Sequence, residues 1–177
     1  MEKFLNFIRS NSINLLFTII LFCMFVGIGY IYQIHQEPIQ LEFVRPKFID
    51  ILIHNSYHLF KIISIGILTF CIYNYILLSI NGIMVGVGFG LYVQAKNSLF
   101  VFLSSFVPHA IFELPAIILG ASLPLMFYKH FLTSLRKNKN IFLCIKNSIV
   151  NHVMLPTATA FTLIFIAAVF ESYISKY

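Results

Sequence analysis

The chain has 177 residues, of which 59% are hydrophobic and 10% charged, and its mean hydropathy is +0.90. Soluble domains carry roughly 25% charged residues, so these side chains cannot cover a water-facing surface, and an ordinary soluble enzyme, a disordered chain and a collagen-like chain are excluded. Twelve Lys and Arg against six Asp and Glu give a formal charge of +6. With no soluble basic surface to grip nucleic acid, that excess reads as cationic loops held on the cytoplasmic side of a membrane.

The expected fold is an all-α, polytopic transmembrane helical bundle of about five spans, forming one integral membrane domain over residues 1–177. An uncharged run from Ser10 to Ile34 supplies the first span, about 13–34, because roughly 20 apolar residues cross the hydrocarbon core. It is too long for the apolar core of a cleavable signal peptide. Lys3 and Arg9 precede it and place the N-terminus inside. His35–Asn55 includes Glu37, Pro38, Glu42, Arg45, Pro46, Lys47 and Asp50, and reads as an outer loop.

Between Lys61 and Lys96 no residue carries a permanent charge. The run exceeds one untilted helix, and Asn81-Gly82 is its natural break, which predicts spans of about 56–78 and 81–94. Gly82, Gly86 and Gly90 recur every four residues. That spacing stacks them on one helix face, where absent side chains admit a neighbouring helix; the alternative is a flexible, poorly helical stretch. The GxGxG run at 86–90 has neither the strand nor the lysine or acid of a nucleotide loop.

The short apolar stretch 98–107 extends the third span, forms a re-entrant half-helix, or lies at the interface. Pro108 suits a first helical turn, so the fourth span is expected at about 108–128, kinked by Pro115 and Pro124. Ala116, Gly120 and Pro124 keep one of its sides narrow. Lys129–Asn151 holds Lys129, Arg136, Lys137, Lys139 and Lys146 and no acid, which places it in the cytoplasm. Ile141, Phe142, Ile145 and Ile149 share one helical face, away from Lys139 and Lys146. This fits either a helix lying on an anionic leaflet or an ordinary loop. A fifth span at about 153–172 leaves the C-terminus outside. No internal repeat is visible, which argues against an inverted-repeat transporter.

Glu113 is the one carboxylate inside an apolar stretch, where a charge at the bilayer centre costs about 2.5–3.5 kcal/mol. His109 lies four residues earlier on the same helical face. Such a pair can relay protons, bind a cation or grip a polar partner; alternatively it only orders a helix entrance, where the dipole favours an acid. His54 and His58, also four apart, would add imidazoles for a zinc or copper site with His109 and Glu113. Nothing in the sequence brings those helices together, and there is no HExxH, so no metal or other cofactor is expected. Cys23, Cys71 and Cys144 are scattered and odd in number, and read as packing residues. Ser104, Ser105 and Ser122 lack a GxSxG elbow, so no catalytic residue is expected.

Residues 107–119 read VPHAIFELPAIIL and resemble the stage II sporulation protein M family, whose members show Pro-His-Gly-x-x-Glu-Leu-Pro-Ala. Pro108, His109, Glu113, Leu114, Pro115 and Ala116 match, while Ala110 replaces the glycine. An upstream Asn-Asn pair is represented by His54-Asn55, followed by Gly66, and a later Asn-Gly by Asn81, Gly82 and Gly86. The resemblance implies an integral protein of the cell membrane with about five spans and no established reaction. Sporulation members look like scaffolds for a cell-wall-degrading complex; others accompany circular bacteriocins in maturation, export or immunity. The implied partners are the lipid bilayer and other membrane-complex subunits, with an ABC-type ATPase or a cell-wall hydrolase among them. A homo-oligomer is compatible with this pattern; nucleic acid is not an implied partner.

Overall fold

The computed structural model describes residues 2–37, 47–94, 99–137 and 140–173, with side chains described from residue 11 onward except over 99–109. Among these residues there is no strand. The helices are α1 (Glu2–Ile34), α2 (Phe48–Leu68), α3 (Ile72–Gln94), α4 (Leu99–Lys137), α5 (Ile141–Ser148) and α6 (Met154–Tyr173), with a π-helical turn, Ile149–Val153, joining the last two. Five stretches are long and apolar enough to cross a membrane: Asn11–Ile34, Phe48–Leu68, Ile72–Gln94, Ala110–Lys137 and Ile141–Tyr173.

α4 is the most buried span and organises the bundle. Leu59 and Ile63 of α2 and Ala160 and Ile164 of α6 pack on Ala116, Leu119, Leu123 and Met126 of α4. Its other side, through Ile117 and Ala121, meets Phe22 of α1, Ile62 of α2 and Leu78 of α3. In lipid the hydrophobic effect does not press helices together, so close van der Waals packing must do so. Small residues supply it. At Gly120 an added Cβ would collide with Leu59, and at Gly66 it would sit 2.7 Å from the Pro124 ring.

The tightest seam joins α1 and α3. Gly82, Gly86 and Gly90 are buried. A Cβ on Gly82 would meet Phe25 Cβ at 2.9 Å, one on Gly86 would meet Tyr30 N at 2.7 Å, and one on Gly90 would meet Gln33 Cβ at 2.7 Å. Gly29 of α1 reciprocates by accepting the backbone of Ile83. The rising numbers on both sides show that the two helices run parallel. At one end of this seam Gln33 Nε2 donates to Gln94 Oε1 (3.0 Å), and Gln94 Nε2 donates to the carbonyls of Gln33 and Gln36 (each 2.8 Å).

Several boundaries differ from the sequence expectation. The chain turns at Thr69–Cys71, not at Asn81-Gly82, so the spans are Phe48–Leu68 and Ile72–Gln94 rather than 56–78 and 81–94. Phe48–Asn55 is helix, not loop. At the turn the Cys71 N–H reaches the Gly66 carbonyl and the Thr69 N–H reaches that of Ile65, which closes α2 with a Schellman-type end. The Thr69 hydroxyl donates to Ile65 O (2.8 Å) and accepts from Tyr73 N (3.2 Å), so one side chain serves two helix ends. Phe70 and Cys71 adopt φ of 51° and 70°, a conformation usually left to Gly or Asn. Asn81 instead lies inside α3, its amide donating to Leu77 O (2.8 Å).

α4 runs continuously through Pro108, Pro115 and Pro124, so it starts nine residues before the expected entry, and 99–107 belongs to it rather than to a separate half-helix. The helical stretch that holds the last span begins at Ile141 rather than 153, with α5 and the π turn ahead of α6. Pro156 has no N–H for the His152 carbonyl, and just before it the Met154 N–H bonds to Ile149 O, the five-residue step that defines a π turn.

Candidate functional site at the acidic end

The helix ends carry opposite characters. One end holds Asp50, Glu113 and Glu171; the other holds Lys129, Arg136, Lys137 and Lys146. At the acidic end a cavity of about 350 Å³ is lined by Asp50, Ile51, His54 and Asn55 of α2, Glu113 of α4 and Glu171 of α6. Asp50 and His54, like Ile51 and Asn55, are four residues apart, so one face of the first turns of α2 supplies four lining groups. α4 adds Glu113, fourteen residues after its start at Leu99, and α6 adds Glu171 from its last turn. The lining is rich in acceptors and contains no Lys or Arg. Chemically it is suited to a cation, a proton or an N–H donor.

The sequence-derived candidates separate in the fold. His54 and Glu113 line this cavity together. His58 does not join them; its Nε2 accepts from the amide of Asn81 at 2.8 Å. That amide has a hydrogen for Leu77 O and one for the ring, which leaves the imidazole proton on Nδ1. Among the described residues no three His, Cys, Asp or Glu side chains are placed to hold a metal ion. The candidate set of His54, His58, His109 and Glu113, from which no metal site was expected, is divided by the fold at His58. The side chains of Pro108 and His109, and with them the expected His109–Glu113 pair, lie outside the described residues. Pro115 is exposed on α4. Gly82, Gly86 and Gly90 face α1, remote from the cavity.

Asp50, Asn55 and Glu171 are cavity residues that sequence reasoning missed. Asp50 and Asn55 fall in the stretch that reads as an outer loop, although the Asp50–His54 spacing is a helical signal. Two further imidazoles escaped notice at the basic end: His130 of α4 and His152 of the π turn stack face to face, with ring centroids 3.5 Å apart. None of the three cysteines is in a disulfide; Cys71 and Cys144 are buried, whereas Cys23 is exposed on α1 rather than packed inside. Burial pushes the Cys71 thiol up, away from the reactive thiolate.

No curated protein and no solved structure matches the chain. The family model for stage II sporulation protein M matches residues 18–176, which takes in most of the first span, the other four whole, the glycine seam and every residue of the acidic cavity. The chain is a membrane protein of the stage II sporulation protein M family.

Proposed function

We propose that the chain is a non-catalytic, multi-pass subunit of a bacterial export and maturation or immunity complex, such as that of a circular bacteriocin, and resides in the cell membrane. The observation that carries this reading is the family match over 18–176 in a chain whose described residues are almost wholly membrane-crossing helix. Large apolar side chains such as Ile13, Met84 and Ile111 face outward, available to lipid and to other membrane subunits. Its partners in this reading are further subunits of the complex, an ABC-type ATPase among them. The test is deletion and complementation in a producing strain. Loss of peptide production or immunity on deletion, restored by both the native chain and Glu113→Gln with undiminished recovery of partners, is the expected result. Conversion of a substrate by the purified chain alone would overturn it. A sporulation scaffold is the runner-up, and deletion would then arrest engulfment instead.

The acidic cavity favours one further reading, an intramembrane enzyme or proton-coupled carrier working through His109 and Glu113. In that case Glu113→Gln abolishes function while abundance and partner recovery stay unchanged. The same variant therefore separates the two classes.

A further inference from the structure

Beyond the acidic cavity, the basic end of the molecule is built in an unexpected way. Tyr128 of α4 donates its hydroxyl to Ile67 O and stacks on Phe70 (5.2 Å), so this level marks the α2–α3 turn. α4 continues nine residues further, to Lys137, a rise of about 13 Å. α5 returns alongside it, capped by the Asn140 side chain accepting from Leu143 N. The result is a two-helix hairpin that extends past the α2–α3 turn. It is a fixed element, because Cys144 and Ser148 are buried and the His130–His152 stack clamps its base.

The buried side of α5 is the one bearing the small residues, not the Ile141, Phe142, Ile145 and Ile149 stripe. Phe142, Lys146 and Val150 therefore succeed one another at four-residue steps on the outward side; all three are exposed, Phe142 by 79%. The exposed stripe runs on through Met154 and Leu155 of α6, the flank that faces lipid. At the tip, Arg136 and Lys137 are also exposed, and no acidic residue occurs between Lys129 and Asn151.

We propose that the α4–α5 hairpin is an interfacial anchor that binds anionic phospholipid headgroups of the leaflet it emerges from, seating Phe142 at the acyl–headgroup boundary. The occupant follows from two observations: the apolar stripe is continuous with the lipid-facing flank of α6, and the surrounding charge is of one sign, complementary to anionic lipid. An amphipathic element with aromatic and aliphatic residues between basic ones inserts in this way, the long basic stems reaching up to the phosphates. Each Lys or Arg near an anionic surface contributes roughly a fivefold bias, so Arg136, Lys137 and Lys146 together dominate the preference. The inference does not depend on the complex proposed above, nor on which compartment the hairpin faces.

The chain has no Trp, so Phe142→Trp introduces a single reporter. The full chain carrying it is placed in nanodiscs of phosphatidylcholine alone or mixed with phosphatidylglycerol. With phosphatidylglycerol present, the introduced indole should be quenched by lipids brominated near the headgroup end of the acyl chains and shielded from aqueous acrylamide. Replacing Arg136, Lys137 and Lys146 together by Gln should weaken that quenching several-fold; these exposed positions leave the fold intact, which a monodisperse elution profile checks. An indole open to acrylamide in both lipid mixtures overturns the anchor, as does one shielded from both quenchers, which would mean a protein-covered face. Equal quenching by brominated lipid with and without phosphatidylglycerol overturns the anionic preference.

Discussion

Gly86 and Gly88 lie two residues apart on α3 and should respond oppositely to the same substitution. A Cβ on Gly86 would enter the backbone of α1, overlapping the Val26 carbonyl and lying 2.7 Å from Tyr30 N and 2.9 Å from Val26 C. Backbone cannot swing aside as a side-chain tip does. Restoring ordinary contact, which begins at 3.4 Å, separates the helices by at least about 0.7 Å, and a gap of that size forfeits roughly a quarter to a half of each dispersion contact along the seam. Overpacking of this kind costs about 1–3 kcal/mol. Nothing lies within 4 Å of a Cβ on Gly88, so Gly88→Ala keeps the seam and gains up to about 1 kcal/mol of helix propensity. The assay is the midpoint of thermal loss of the monodisperse species in one mild detergent. For a chain of this size 2 kcal/mol corresponds to roughly 4–8 °C. Gly86→Ala should fall by about that much while Gly88→Ala holds or rises, and Gly86→Leu should prevent assembly of the folded protein. Equal midpoints for the two alanine variants would show that α1 and α3 do not meet through these glycines.

Gln94→Leu should cost about 1–2 kcal/mol, because Gln33 Nε2 loses its acceptor inside a buried residue. Adding Gln33→Leu should return part of that loss, and a further drop would contradict the pairing. His130→Ala and His152→Ala should be non-additive by about 0.5–1.5 kcal/mol, the usual worth of a ring–ring contact; additive thermal shifts would show that the stack carries no energy. Pro156→Ala restores a donor for the His152 carbonyl, so amide exchange over 149–156 should slow, and unchanged exchange would remove proline as the cause of the π turn. Cysteine labels at the two chain ends should react from opposite faces of sealed vesicles; labelling from one face would rule out five crossings.

What the sequence could disclose follows from the range of the interactions involved. Gly82, Gly86 and Gly90 reveal a packing face because helical periodicity is a local property, although their partner α1 is not. The Thr69–Cys71 turn left no such mark. It contains neither Gly nor Pro, and it holds two side chains at positive φ through the paired bonds to Ile65 O and Gly66 O together with the double role of Thr69. Asn81-Gly82 misled for the converse reason: the glycine serves α1, and the amide is satisfied within α3 and by His58. Glu113 and His54 stood out as isolated polar groups, but Glu171 lies 58 positions from Glu113 in the sequence and only the antiparallel course of α4 and α6 brings it to the same cavity. The His130–His152 stack was equally hidden, since a turn joining two helices reunites residues that read as parts of one basic stretch.

The polar side chains of the spans also explain why the acidic cavity is the place to look for function. Within lipid an unpaired polar group is costly, and most here are satisfied at home: Thr18, Ser79, Thr159 and Thr162 each donate to the carbonyl four residues earlier. Others bind helix to helix, as Gln94 does to α1 and as Asn74 does through its donation to Ala121 O, in the stretch of α4 where Pro124 supplies no N–H. These donors are turned inward. Glu113 and Glu171 differ, because they come from separate helices and line an open cavity. Water, a cation, a donor on another chain or His109 one turn away can satisfy them there. A subunit most of whose other span hydroxyls and amides donate within its own helices would present just such a place to a partner, and Glu113→Gln, which keeps the shape and hydrogen-bonding capacity but removes the charge, asks whether that partner requires the charge.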